Sequence, residues 1–433
     1  MTWHPPVPRR VTDPAGSVWS VQRAWPGVSA GSYDMEVRSP DRPGVLAGHF
    51  SGGMFEAITV DDPRLPALAA ESTRGEMVVH RAHKRAVLRG PEAYIKVFRP
   101  GRALTAAASH NITAAALAEG GFNAPRLVST SPDVLAFSRL AGRSFYELGQ
   151  SHTGSTAQTG IADQCDVADQ RDVADQRDVA DQRDVADQRD VADQPGITDT
   201  SYAAIWARWS RAWAGTVAAA GSASFQDSLH RLPLRDAGKE AASLQRWVDH
   251  WLRHSEGIAA AAPARAVLLA RARAVTETLL STPPDPEGWA HGDLHDKQML
   301  GGRESSGRPA ATSAALCAAP GLLDFDESCR AEAALDLANL DVHLELRWRQ
   351  NLLTTRRYAI AHSAVVSAAE RLHVSPHRFA AYAASTRLRL ACLYSFRPPW
   401  GADAARYLVS GDPTAGYLPA PGPALPERTP IGA

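Results

Sequence analysis

His291-Gly292-Asp293-Leu294-His295-Asp296-Lys297-Gln298-Met299-Leu300 is the stretch on which the reading of this chain turns, and Leu322-Leu323-Asp324-Phe325-Asp326 answers it about two dozen residues later. The two short segments bring together an acid, an amide and a second acid. That set suits a magnesium-nucleotide site at which a hydroxyl is activated beside a phosphate, because phosphoryl transfer is catalysed mainly by position and charge. Asp293 lies in a loop and suits the carboxylate that accepts or orients the hydroxyl proton. Gln298, five residues on, offers an amide oxygen to a hard cation. Asp324 stands at the end of the apolar run Gly321-Leu322-Leu323. Magnesium takes few protein oxygens beside phosphate and water, so one amide and one carboxylate suffice.

A cation must steady the nucleotide. Lysine is scarce, with four (Lys84, Lys96, Lys239, Lys297) against 42 arginines, so each one is informative. Lys96 lies inside the strand-like Ala93-Tyr94-Ile95-Lys96-Val97-Phe98 among apolar neighbours. An unpaired ammonium is costly there, so an anionic partner is expected, and a nucleotide phosphate would serve.

Bulk properties set outer limits. A chain of 433 residues with 44% hydrophobic residues supports two or three domains with real cores. Its net charge of -1 argues against a broad nucleic-acid or anionic-membrane footprint. The four cysteines (Cys165, Cys317, Cys329, Cys392) are scattered without a CxxC, as in a reducing compartment. The N-terminus has no basic, then apolar, leader pattern, and no apolar run is long enough to span a bilayer. Cytoplasmic residence is expected.

Upstream of the two motifs the pattern is β-rich. Val18–Val21, Tyr33–Val37 and Val45–Phe50 read as short strands of an N-terminal cap over 1–75. Over 76–142, Glu76–Val79, Arg85–Arg89, Glu92–Phe98, Pro125–Val128 and Val134–Phe137 read as strands, with a turn at Gly90-Pro91. An alanine-rich helix over Ala103–Glu119 is stopped by Gly120-Gly121. Residues 143–200 read as a low-complexity insertion. Within it the unit Arg-Asp-Val-Ala-Asp-Gln runs from Arg171 to Gln194 in four copies, with a Cys-headed fifth copy before them. Two apolar residues in six cannot sustain a helical stripe, so this is a solvated surface segment. Tyr202–Ala220, Gly238–His254, Ile258–Leu280, Ala331–Arg347, Tyr358–Leu372 and Pro376–Tyr394 read as helices. Trp206, Trp209, Trp213, Trp247 and Trp251 fall on their core faces. The stretch Gly301–Pro320 reads as loop decoration, and 397–433 as a flexible tail. The order is α+β with two lobes: β-rich first, helical after.

With these pieces in order, H-G-D-L-H-x-x-Q, then L-L-D-F-D, then Leu335-Asp336-Leu337-Ala338, the chain resembles the aminoglycoside phosphotransferase and choline kinase-like small-molecule kinases. That family usually has asparagine where Gln298 stands, and the glutamine looks like the maltokinase and glucosamine kinase branch. Gly121-Phe122-Asn123-Ala124-Pro125-Arg126-Leu127 and Phe137-Ser138-Arg139-Leu140-Ala141-Gly142 match the family's approach to its hinge. The resemblance covers roughly 76–142 and 200–345. It implies a bilobal protein-kinase-like fold with a β-rich N-lobe and a helical C-lobe, and an ATP- and Mg2+-dependent kinase of a small hydroxylated molecule. Asp293 would be the catalytic base. Gln298 and Asp324 would hold Mg2+, and Lys96 the phosphates. Backbone groups of Ser138 and Leu140 would take the adenine. His291 and Asp336 would support the loop.

A sugar or amino sugar is the expected acceptor, on the strength of Gln298. An aminoglycoside-type antibiotic and a catalytically degenerate nucleotide-binding module are the alternatives. Two departures from the family stand out. No glycine-rich loop occurs, and His80-Arg81-Ala82-His83-Lys84-Arg85 lies where it belongs, so phosphate contacts there would be cationic, Lys84 among them. The helix that should offer a glutamate to Lys96 carries His110 and Asn111 near that place, so either the pairing acid comes from elsewhere or the lysine is held by nucleotide alone. Asp326 is either a second metal-site acid or a solvated neighbour. Asp341 and Glu345 share one helical face, read as a solvated acidic face or a substrate grip. An i,i+4 zinc pair of His291 and His295 is disfavoured by Gly292 and by the lack of a further ligand.

Overall fold

A computed structural model describes residues 3–39, 42–150, 197–301, 319–398 and 400–404. The hexapeptide repeats, most of the 301–320 loop and the chain beyond 404 lie outside the described residues.

The N-terminal strands are β1 (Arg10–Thr12), β2 (Val18–Pro26), β3 (Tyr33–Arg38), β4 (Leu46–Ser51) and β5 (Met54–Ile58). They form one antiparallel meander in sequence order. Tyr33, Met35 and Val37 are buried, as their alternation requires. A short helix α1 (Leu68–Glu71) follows.

The second sheet, ordered β6-β7-β8-β10-β9, contains β6 (Glu76–Arg81), β7 (Arg85–Arg89), β8 (Ala93–Phe98), β9 (Leu127–Thr130) and β10 (Val134–Ser138). Helix α2 (Ala103–Gly120) lies between β8 and β9 and ends on Gly121 at φ 86°. One face of this sheet carries Ala86, Leu88, Ile95, Val97 and Ala136 against Leu65 and Leu68. The opposite face carries Val87, Lys96 and Leu135, which are paired across β7, β8 and β10. Face alternation therefore points Lys96 away from the packed outer layer.

Beyond the hinge, the tiny strand β11 (Arg143–Ser144) and helix α3 (Phe145–Gly149) are part of the fold, and Ser144 closes α3 with a capping box. The sequence reading had assigned 143–150 to the insertion, because five residues of helix carry too little periodicity to register. The helical lobe consists of α4 (Asp199–Ala220), α5 (Gln226–Leu229), α6 (Ala237–His254), α7 (Ala262–Ser281), α8 (Ala333–Arg349), α9 (Thr355–Arg371) and α10 (Pro376–Tyr394). Two small sheets are set into it. One pairs β11 with β13 (Met299–Gly301) and β13 with β14 (Gly321–Leu322); the other pairs β12 (Glu287–Ala290) with β15 (Cys329–Glu332). The helix expected from Ala331 thus begins two residues later, because Cys329–Glu332 is taken by a strand. All five tryptophans expected in the core are at most 2% exposed. The fold is α+β and bilobal, with a β-rich N-terminal lobe and a helical C-terminal lobe.

Two features fasten the lobes together. Gly120 of α2 packs so closely on Thr216 of α4 that a Cβ there would lie 1.9 Å from the threonine hydroxyl oxygen. Near it, Trp289 donates to Thr113 at 3.2 Å. On the other side the N-terminal sheet touches both lobes rather than capping one. Trp25 lies between two guanidinium groups, Arg81 of β6 and Arg397 after α10, each 4.8 Å from its ring centre. Arg397 also donates to the Ala24 carbonyl. Tyr33 stacks on His254 of α6, and Trp3 meets Trp251 edge-on. On the N-lobe side, Glu36 accepts from the His80 N–H at 2.9 Å, and the Ala47 N–H donates to the His80 ring at 3.1 Å. The chain just after Arg397, expected to be loose, is anchored: Arg397 is buried, and Trp400 and Ala404 pack on the core. That burial comes from partners hundreds of residues away, which a local reading cannot see.

Candidate active site

The site is assembled on the β13/β14 hairpin. Met299 pairs with Leu322, so Gln298 and Leu323 face each other at the open end, and the Leu323 N–H donates to the Gln298 carbonyl at 2.9 Å. Asp324 follows at φ 67°, a left-handed conformation that is strained for a residue with a side chain. Upstream, Gly292 sits at φ 85°, where a Cβ would lie 2.1 Å from the Glu327 carbonyl oxygen. Glycine is required at that point of the loop.

Asp336, in the first turn of α8, accepts from the N–H groups of His291 (2.6 Å) and Gly292 (2.9 Å). Burial pushes its carboxyl up to about 6, opposed by those two backbone donors. His291 donates from Nε2 to the Leu323 carbonyl at 2.9 Å and receives the Asp293 N–H on Nδ1 at 3.3 Å. It joins the loop to the Asp324 segment as a neutral ring, since burial lowers it to about 4. Two loop carbonyls are also held. Arg235 donates to Gly292 O at 2.7 Å, and Asn339 donates to Leu294 O at 3.0 Å. Arg347 pairs with Asp296 at 3.2 Å, and Arg389 of α10 donates to Asn339 at 3.0 Å. Asn339 and Arg347 escaped the sequence reading. Their spacing from Asp336, three and eleven residues, puts them on one side of α8, and that stripe is the signal that would have found them. Arg235 and Arg389 carry no such signal.

Asp293, Gln298, Asp324 and Lys96 are all at most 5% exposed. Lys96 donates to Asp324 Oδ1 at 2.6 Å and to Asp326 Oδ2 at 2.8 Å. It therefore has protein carboxylates for partners before any nucleotide arrives, and the pairing acids come from elsewhere than α2. Asp326 is no solvated neighbour: it is one of those two acids. Where α2 should present an acid, His110 stacks between Phe137 and Phe325 and binds the Pro125 carbonyl at 2.9 Å. Burial, with the charge of Lys96 next, lowers His110 to about 4. Burial raises the Asp324 carboxyl, Lys96 opposes the rise, and Asp326 adds to it.

Among the described residues, Asp324 Oδ2 and both side-chain polar atoms of Gln298 have no hydrogen-bond partner although fully buried. Such atoms are costly unless something fills the space beside them. An amide oxygen and a carboxylate oxygen are a donor set that fits a hard divalent cation shared with phosphates. Among the described residues no group of three or more His, Cys, Asp or Glu side chains is arranged to hold a metal ion, and the Nε2 of His291 is bonded to the Leu323 carbonyl.

The other expected residues fall as follows. Ser138 gives its N–H to Arg126 O and its hydroxyl accepts the Arg126 N–H, at 2.8 and 2.9 Å. Only its carbonyl is left among its backbone groups to meet a base. Leu140 packs its side chain toward Gly321. Lys84 is in the β6/β7 turn and half-buried. Asp341 and Glu345 are not a solvated acidic face. Both are buried: Asp341 binds His362 at 2.6 Å, while Glu345 binds Arg349 and Arg387 at 2.8 and 2.7 Å. Helical spacing fixes which residues share a face, not what lies opposite.

Among solved structures, similar folds occur in antibiotic phosphotransferases. A type I macrolide 2'-phosphotransferase is 14% identical, with a TM-score of 0.42 over 84% of this chain and 99% of its own. An aminoglycoside phosphotransferase from Streptomyces rimosus is 14% identical, with a TM-score of 0.40 over 76% of this chain and 97% of its own. A type VIII aminoglycoside-3'-phosphotransferase is 16% identical, with a TM-score of 0.42 over 76% of this chain and 100% of its own. No protein-family profile matches the chain, and no curated protein matches it. Among the described residues no helix is long and apolar enough to cross a membrane.

Proposed function

We propose that the protein is an ATP- and Mg2+-dependent phosphotransferase acting on a hydroxyl of a small molecule. The observation that carries this reading is the buried, unpartnered oxygen of Asp324 next to the buried, unpartnered amide of Gln298, on one hairpin end beside Asp293 and Lys96. Magnesium bound there would neutralise charge on the β- and γ-phosphates. Asp293, held by the His291–Asp336 scaffold, orients the acceptor hydroxyl and takes its proton as the oxygen–phosphorus bond forms. The bond to the bridging oxygen breaks and ADP leaves. Lys96 would meet the nucleotide phosphates and keep Asp326 as its partner, with Asp324 as the carboxylate that would hold the metal. Asp326 thereby does for Lys96 what a glutamate on α2 does in the family the motifs resemble. The Ser138 carbonyl and the Leu140 backbone frame the base.

A sugar or amino sugar is the acceptor class proposed, on Gln298 in the place of asparagine. Cytoplasmic residence, where ATP is available, belongs to the same proposal, as do a small-molecule partner and the absence of nucleic-acid and membrane partners.

The test is transfer of labelled γ-phosphate across a panel of sugars, amino sugars and aminoglycosides. Transfer to a sugar or amino sugar is expected. Asp293→Asn should lower kcat by about a thousandfold or more, the upper range for a positioned base, with Mg·ATP affinity retained. Transfer confined to aminoglycosides would replace the acceptor class. Nucleotide binding without transfer to any acceptor would leave a binding module and overturn the enzymatic reading.

A further inference from the structure

The β6/β7 hairpin, Glu76–Arg89, contains no glycine. Its turn cannot cradle a phosphate by backbone. The His83 N–H is given to Asp62 at 2.7 Å, and the Lys84 N–H to the Arg81 carbonyl at 3.1 Å. His83 itself, at φ 60°, is clamped by a second bond from its ring to Asp62 at 2.8 Å. An anion arriving there must find a side chain.

Arg85, the first residue of β7, is placed to be that side chain. Val87 pairs with Lys96 across β7 and β8, and Arg85 is two residues before Val87. It therefore projects from the same face as Lys96, roughly 7 Å along the strand. It is 3% exposed. Its Nε and Nη1 have no hydrogen-bond partner among the described residues. Neighbouring arginines have other work. Arg81 lies on Trp25, Arg89 pairs with Glu76 at 2.5 Å, and Arg99 donates to the His83 carbonyl at 2.6 Å. The charge of Arg85 reaches Asp324, whose carboxylate it favours. A buried guanidinium with unmet donors is costly, and the cost is removed by an anion with oxygens spaced for its planar fork.

We infer that Arg85 is a phosphate-binding residue of the nucleotide site, gripping the β- and γ-phosphates from above and replacing the backbone cradle of a glycine-rich loop. The inference rests on the phosphotransfer reading and names a residue that reading does not. It assigns the triphosphate two cations from one sheet face, Lys96 and Arg85, and predicts that affinity depends on the phosphates more than on the base.

Calorimetric titration of the full chain with Mg·ATP, Mg·ADP and adenosine tests it, for wild type, Arg85→Met and Arg85→Lys. Arg85→Met should weaken Mg·ATP binding about ten- to a hundredfold, the range of a charge-assisted contact, and leave adenosine affinity unchanged. Arg85→Lys keeps the charge but loses the fork, so it should fall between. Mg·ATP affinity within twofold of wild type, in an Arg85→Met protein that melts like wild type, overturns the role of Arg85 while leaving phosphotransfer intact. Wild-type protein that binds no nucleotide overturns the phosphotransfer reading and the Arg85 assignment together.

Discussion

The β13/β14 and β6/β7 hairpins are built on opposite plans. The β13/β14 hairpin is held from below by side-chain-to-backbone bonds within the helical lobe: Asp336 on two amides, His291 on a carbonyl, Asn339 on another. The β6/β7 hairpin is held from outside by a separate sheet. Glu36 and Ala47 grip His80, Asp62 grips His83, and Trp25 lies against Arg81. The first arrangement fixes the 291–293 loop against the Leu323–Asp324 segment and is compact in sequence. The second fixes a cover and draws on residues from the far N-terminus. A rigid site and a fastened cover are therefore separable properties, and each should fail in its own way.

Acid breaks both at once, and it should have the largest effect. His80 in the cover, His110 and His291 in the site, and His254 under the N-terminal sheet are each lowered to about 4 by burial. Each folded value lies below the unfolded value of roughly 6.5, so the folded state binds fewer protons in that window. The stability held by the neutral rings is complete above about pH 6.5 and is lost as pH falls toward 4. At pH 5 the cost is at most about 2 kcal/mol for each ring. Asp336, raised to about 6, and Asp324, also raised, act with the opposite sign and offset part of it. Calorimetric melting at pH 8 and pH 5 should show a lower Tm at pH 5, and an equal Tm would contradict the neutral-histidine account.

Trp25→Ala attacks the cover alone. It removes a nearly buried ring and both guanidinium contacts, which should cost about 3–5 kcal/mol of unfolding free energy. If the comparison holds, protein folded at low temperature keeps the bonds around Asp336 while the amides of His80 and His83 lose hydrogen-exchange protection. Equal loss of protection in both hairpins would show that they are one unit.

Asp326→Asn attacks the site alone and should have the smallest effect. Lys96 keeps Asp324 in the free protein but loses its charged partner once Asp324 serves the metal. An increase of about tenfold in KM for ATP is expected, with Tm changed by only a few degrees. Steady-state kinetics decide this: an unchanged KM would mean that Lys96 needs no second acid.

The sequence exposed the motif-bearing half well because its parts are local. Gly292 is required by a positive φ, Asp336 by two unpaired amides at a loop start, and the hairpin by two apolar runs that pair. Strands 76–98 were legible from alternation, and the helices from spacing. The other half was not. Nothing in the face shared by Asp341 and Glu345 says that these acids meet His362, Arg349 and Arg387 in the interior. The lack of an acid at His110 leaves open whether Lys96 takes its acid from elsewhere, because a search along one helix cannot see an acid two residues past Asp324.

By itself the sequence determined the order of the lobes, the two motif segments and the residue types that stand at their tips, since periodicity and short-range spacing are set by covalent geometry. Tertiary structure alone decided which charges neighbour one another: Lys96 with Asp324 and Asp326, Arg85 with unmet donors beside them, and Trp25 between arginines of two lobes. Those outcomes depend on burial, and burial is a property of the packed chain, in which each charge taken from water must be met by whatever the fold brings opposite it.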